Sequence, residues 1–297
     1  MRSYFFTSLK EFMSSRSVVL SLILLGLIGA GIVFYPQLEN SIIFHPDRGL
    51  DDKPSNWGLI YEDILFPTPD GQTLHGWFFP GSKSLPLLLF CHGNAGNICH
   101  RIENVSFLVK KGISVLLFDY RGYGQSTGKP SERGIYIDGI AAYDYLTASK
   151  KFCPEEIAVF GRSLGGAVAL EIALQRKVRC LIIESTFTST RDMSKRMFPF
   201  FVFSPFLPHH YHNSRKIRKI SVPKLIIHGK NDKIVPFAMG KKLFEQSTGT
   251  KEFLPIDGAG HNDTYIIAGE PYFDSLSHFI TRTPRGHTYG SEGRAIP

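Results

Sequence analysis

The chain has 297 residues, 43% of them hydrophobic and 20% charged. That is enough apolar material for one α/β domain of about 250 residues with a short segment left over. Lys and Arg number 34 against 26 Asp and Glu, a formal net charge of +8, yet no basic stripe interleaved with aromatics and no nucleic-acid motif goes with it. The excess therefore reads as a solvated basic surface, and nucleic acid is not an expected partner.

In chain order, the first element is an uncharged apolar run from Val18 to Tyr35. As a helix it would span about 27 Å, close to the hydrocarbon thickness of a bilayer. Arg2, Lys10 and Arg16 precede it with Glu11 as the one acid, whereas Glu39, Asp47, Asp51 and Asp52 follow it against Arg48 and Lys53. This bias predicts a cytoplasmic N-terminus at 1–17, a single-pass anchor at 18–35, and the remainder on the non-cytoplasmic side. The run is long for a signal-peptide core, and no clear A-x-A site follows it.

Residues 36–281 are expected to form the folded domain. After an extended lead-in, Tyr61 to Phe66 and Thr73 to Phe79 predict a hairpin around Pro69-Asp70-Gly71. The pattern then alternates. Strands are predicted at Leu85–Cys91, Ile113–Phe118, Ile157–Phe160, Leu181–Glu184, Lys224–His228 and Phe253–Ile256. Helices are predicted near Ile98–Lys111, from Ser131 to Ala148, at Ala167–Leu174, at Phe237–Gln246 and at Asp263–Thr281. Apolar strands without alternation imply a mostly parallel sheet covered on both faces. The stretch 185–222 breaks the pattern with an aromatic, proline-punctuated run, and is expected to be a cap inserted between strands. Residues 282–297 are polar and Gly-rich and are expected to be a disordered tail.

Chemistry concentrates between Ile157 and Leu170. There Gly161-Arg162-Ser163-Leu164-Gly165 matches G-x-S-x-G in the strand–turn–helix context that the motif requires. Glycines flanking a serine let a sharp turn push Oγ outward, and the helix beginning there aims free N–H groups at an oxyanion beside Ser163. A serine hydroxyl is a weak nucleophile, so a histidine must take its proton and a carboxylate must orient that histidine. Both should lie past the C-terminal ends of parallel strands. Asp232 follows the strand ending at His228, and His261 lies in the glycine-rich Asp257-Gly258-Ala259-Gly260-His261 loop. Glu184 and Asp119 also end strands. Glu184 is an alternative acid, Asp119 reads as structural, and Asp263 as a helix cap. His92 is expected to shape its loop. His209, His210 and His212 lack a strand-end setting and a carboxylate partner, so no metal is expected. Two backbone N–H groups should bind the oxyanion: that of Leu164, and one from His92-Gly93-Asn94-Ala95-Gly96, with Asn94 preferred over Ala95. The cysteines, Cys91, Cys99, Cys153 and Cys180, show neither metal spacing nor a disulfide framework, and no cofactor is expected.

These signatures, with Asp119-Tyr120-Arg121-Gly122-Tyr123-Gly124, fall in an order that resembles the α/β-hydrolase superfamily from Ile42 to about Ile280. They are most similar to membrane-anchored alpha/beta hydrolase domain-containing proteins and serine aminopeptidase-like hydrolases. The resemblance implies an eight-stranded, mostly parallel sheet, with Ser163, Asp232 and His261 as nucleophile, acid and base. Some anchored relatives deacylate S-acylated proteins and carry an N-terminal cysteine cluster. No cysteine precedes Cys91 here, which argues against borrowing that assignment. The expectation is a serine hydrolase acting on an ester or thioester of a small-molecule or lipid acyl substrate, or of an acylated protein. An aminopeptidase or amidase on the same triad, and a non-catalytic membrane-tethered scaffold, are the alternatives.

Overall fold

The computed structural model describes residues 18–23, 26, 43–197 and 211–283. The expected cytoplasmic stretch 1–17, most of the anchor, the middle of the cap at 198–210 (with His209 and His210) and the tail from 284 lie outside them. Within the anchor stretch, residues 18–23 and 26 are helical and exposed. No helix among the described residues is long and apolar enough to cross a membrane.

The described residues from Pro46 onward make up one compact unit. Its centre is an eight-stranded sheet of β1 (Glu62–Pro67), β2 (Thr73–Phe79), β3 (Leu87–Cys91), β4 (Ser114–Phe118), β5 (Ile157–Arg162), β6 (Cys180–Glu184), β7 (Lys224–Gly229) and β8 (Lys251–Ile256). The spatial order is β8-β7-β6-β5-β3-β4-β2-β1. β2 runs antiparallel to both β1 and β4, and every other pairing is parallel. The sheet is thus mixed at one edge, where the hairpin turns, and parallel through its centre. Every residue of β3, β4, β5, β6 and β7 is buried. This explains why apolar residues run consecutively through their middles, since a strand covered on both faces has no solvent side to alternate toward.

The helices are α1 (Ile102–Lys110), α2 (Glu132–Ala148), α3 (Leu164–Gln175), α4 (Thr190–Met197), α5 (Asn213–Ile217), α6 (Phe237–Gln246), α7 (Thr264–Ala268) and α8 (Glu270–Arg282). α1 and α8 bring Ile102, Val105, Leu108, Phe273, Leu276 and Phe279 onto one face of the sheet. α2 and α3 pack against each other, and α3 against β5 and β6. Ser131 caps α2 as expected, its Oγ accepting the Gly134 N–H.

Two predicted helices are interrupted. The one near Ile98–Lys111 opens with a 3-10 turn at Ile98–Arg101, because the Asn97 side chain accepts the Cys99 N–H and caps a tighter turn first. The one at Asp263–Thr281 breaks at Gly269, whose φ of 58° only glycine adopts readily, just ahead of Pro271. α8 then runs to Arg282, one residue into the stretch read as tail. The expected cap begins at Ser185, with α4 and α5 as its described helices.

Candidate active site

β5 ends at Arg162 and α3 starts at Leu164, so Ser163 alone makes the turn between them, at φ 53° and ψ −115°. For a residue with a Cβ this is a sparsely populated backbone state, costing about 1–3 kcal/mol, that persists only where its surroundings enforce it. The flanking glycines show how. A Cβ on Gly161 would collide with the Gly165 backbone, and one on Gly165 with the Cys91 carbonyl. The elbow is therefore pressed onto the end of β3, and the loop leaving β3 comes with it. A Cβ on Gly93 would sit 3.7 Å from that of Ser163.

The three residues expected to act together meet at the C-terminal edge of the sheet. His261 Nε2 lies 3.0 Å from Ser163 Oγ, and His261 Nδ1 lies 2.7 Å from Asp232 Oδ2. An ionised carboxylate can only accept, so Nδ1–H donates to Asp232 and Nε2 is left to accept the serine O–H. Asp232 is 7% exposed, and its other oxygen, Oδ1, accepts the N–H groups of Ile234 and Val235. Burial by itself would raise the Asp232 pKa. Hydrogen bonds from His228, His261 and the Val235 backbone outweigh it and hold the carboxyl well below its usual range.

The structure separates the rival carboxylates from this chain. Glu184 is fully buried and accepts from Thr264 Oγ1 at 2.9 Å and from the Tyr272 hydroxyl, while Arg162 Nε lies 3.2 Å away. It is therefore not the orienting acid of His261. Asp119 accepts the Ile98 N–H at 3.0 Å and lies 3.5 Å from His92 Nε2, in the structural setting expected of it. Asp263 precedes α7, but its Oδ1 accepts the Gly260 N–H rather than one in the helix, so it braces the His261 loop instead of capping. His92 shapes its own loop, Nδ1 lying 2.6 Å from the Gly93 carbonyl while the Tyr120 hydroxyl donates to the His92 carbonyl. Burial pushes its pKa down to about 3.

Of the two oxyanion donors expected, Leu164 is the first residue of α3, so its N–H has no intrahelical acceptor. Asn94 follows Gly93 in the loop beside Ser163, and its side chain is turned aside, Oδ1 accepting from the Tyr123 hydroxyl at 2.9 Å. Among the described residues no group of His, Cys, Asp and Glu is arranged to hold a metal ion, and His212 lies ahead of α5.

One contributor escaped the sequence reading. His228 ends up fully buried with Nε2 2.9 Å from the Val235 carbonyl and 3.3 Å from Asp232 Oδ2. Both neighbours are acceptors, so Nε2–H donates, giving the acid a second imidazole partner. A histidine following the apolar Leu225-Ile226-Ile227 run near the end of a buried strand was the available signal.

Comparison with known proteins agrees with this geometry. The family model described as alpha/beta hydrolase fold matches residues 86–206, and one described as serine hydrolase (FSH1) matches 158–261, from inside β5 to the candidate base. The alpha/beta hydrolase domain-containing protein WAV2 of Arabidopsis thaliana is 33% identical, over 86% of this chain and 92% of that protein. Protein bem46 of Schizosaccharomyces pombe is 36% identical, over 76% and 79%. An uncharacterised protein of Mycobacterium tuberculosis is 35% identical, over 88% and 94%. Among solved structures, an esterase of Pyrococcus furiosus superposes with a TM-score of 0.66 at 22% identity, covering 79% of this chain and 97% of the esterase. With its sheet order, its serine elbow and these relatives, the chain belongs to the α/β-hydrolase family.

Proposed function

We propose that the protein hydrolyses carboxylic ester or thioester bonds of small-molecule or lipid acyl substrates through an acyl-enzyme on Ser163. The observation that carries the proposal is the continuous hydrogen-bonded chain Ser163 Oγ, His261 Nε2, His261 Nδ1, Asp232 Oδ2, with links of 3.0 and 2.7 Å. Ser163 Oγ attacks the acyl carbon as His261 Nε2 takes the hydroxyl proton. The imidazolium that forms is stabilised by Asp232, whose carboxylate stays ionised. The carbonyl oxygen, now negative, is bound by the N–H groups of Leu164 and Asn94. His261 then returns the proton to the departing alcohol or thiol, and the resulting acyl-serine is cleared by a water that His261 activates in the same way. The serine-hydrolase family match and the esterase neighbours support this reading, and no step in it calls for a metal or cofactor.

A fluorophosphonate probe tests it on the folded protein. Labelling is expected on the unaltered chain and absent in Ser163→Ala. A folded protein that takes up no probe at Ser163 would overturn the proposal and favour a binding scaffold. A panel of p-nitrophenyl esters of increasing acyl length, run beside aminoacyl amides, then separates esterase from aminopeptidase activity. The uncharged stretch 18–35 is proposed to tether the domain to a membrane on its non-cytoplasmic side. Release of the full chain from membranes by carbonate would count against that placement.

A further inference from the structure

Arg162 and Glu184 are the charged residues that end two neighbouring buried strands, and they stand directly opposite one another in the β5–β6 register. Their side chains are 6% and 0% exposed. A buried ion pair is a poor way to gain stability, because desolvating both charges offsets most of their attraction. This pair is placed where it touches both halves of the proposed chemistry. Arg162 immediately precedes Ser163. Its Nη2 donates to the main-chain carbonyl of His261 at 2.8 Å and reaches Asn262 Oδ1 at 3.3 Å, while Nε faces Glu184 Oε1 at 3.2 Å. The Glu184 main-chain carbonyl accepts the Ser163 N–H at 2.8 Å. The Glu184 carboxylate also accepts from Thr264 and Tyr272, which follow His261 in sequence.

We infer that Arg162 and Glu184 are positioning residues that lock the main chain of the His261 loop to the serine elbow. The inference rests on the hydrolase reading above. It supplies what the imidazole contacts lack. The hydrogen bond that Nδ1 donates and the one that Nε2 accepts orient the ring, but the ring reaches Ser163 only if the Cα of a glycine-flanked loop is held in place. Arg162 holds it from the residue next to the nucleophile, so elbow and base move as one body. Glu184 aims the guanidinium and compensates its charge. Lysine at 162 keeps the charge but has a single nitrogen, which cannot serve Glu184 and the His261 carbonyl in this forked geometry.

The test uses the full chain as unaltered protein, Arg162→Lys, and the double variant Arg162→Met with Glu184→Gln, which leaves no lone buried charge. Folding is followed by circular dichroism, and turnover of p-nitrophenyl butyrate is normalised to the Ser163 sites that a fluorophosphonate titrates to completion. Because misplacing a catalytic group by about 1 Å costs about 100-fold, kcat per titrated site is expected to fall about 100-fold in the double variant, with KM within about twofold. Arg162→Lys is expected to fold like the parent and to recover less than about a tenth of kcat. A purely structural pair would lower only the number of titratable sites. Either variant, folded and turning over within about threefold of the parent per site, overturns the clamp. If the double variant fails to fold, Arg162→Lys decides. If the unaltered protein takes up no probe, the hydrolase reading fails first and the clamp with it.

Discussion

Asp232 and Glu184 lie at the ends of adjacent parallel strands, both buried on the same edge of the sheet, and only one of them orients the candidate base. The difference is one of reach and prior engagement. Asp232 sits three residues past the end of β7, on a loop that turns its carboxylate back toward His261, with Ile234 and Val235 N–H groups holding one oxygen so that the other faces Nδ1. Glu184 is the last residue of β6 itself, and its oxygens are taken up by Arg162, Thr264 and Tyr272. A carboxylate at a strand end is therefore a candidate by position, and its hydrogen-bond partners decide what it does.

Substitutions can break that contrast, beginning with the largest effect. Asp232→Asn keeps the shape of the acid but donates toward His261 and favours the wrong tautomer, so kcat should fall by about ten-thousand-fold in ester turnover. Glu184→Gln should invert the balance. It leaves the Arg162 guanidinium buried without its counter-charge, so chemical denaturation should show a loss of about 3 kcal/mol of stability. Its activity should fall far less than that of Asp232→Asn. Equal kinetic losses in the two variants would erase the distinction drawn between these acids.

His92 extends the contrast to a third buried titratable group at this edge. Its pKa is lowered from 6.5 in the unfolded chain to about 3 by burial, so at intermediate pH the unfolded state binds a proton that the folded state does not. Stability is unaffected by this group above the unfolded pKa, and falls as pH drops below it. Between about pH 7.5 and pH 5 the parent should lose about 2 kcal/mol more than His92→Asn in urea unfolding. The smallest effect belongs to Tyr272→Phe, which removes one donor from Glu184 and should cost about 1.5 kcal/mol in the same assay. A neutral outcome there would mean that Arg162 and Thr264 suffice to hold Glu184.

Much of this was legible before the fold was known, for local reasons. The hairpin, with its Asp70-Gly71 turn, and the strands β3 to β7 declare themselves through short-range patterns that each segment carries alone. So does the elbow, whose Gly-x-Ser-x-Gly pattern is written within one turn, with Gly161 crowded by the nearby Gly165 backbone; the Cys91 carbonyl that crowds Gly165 comes from a distant strand. The order Ser163, Asp232, His261 followed from finding each past a strand end. Arg162 was harder to interpret. A charge closing an apolar strand announces that it needs a partner, yet Glu184 in the neighbouring strand and the His261 carbonyl, 99 residues further on, become its partners only through β5–β6 register and loop closure.

The sequence by itself determined that a serine would stand on a strained strand-to-helix turn at the edge of a buried parallel sheet, because the Gly-x-Ser-x-Gly motif and the hydrophobic runs around it are patterns written within a few residues. Tertiary structure alone decided which carboxylate faces His261, gave Asp232 a second imidazole in His228, and set the Arg162 guanidinium between Glu184 and the His261 carbonyl. Those outcomes depend on angstrom-scale hydrogen-bond geometry between residues far apart in the chain, which no local pattern encodes.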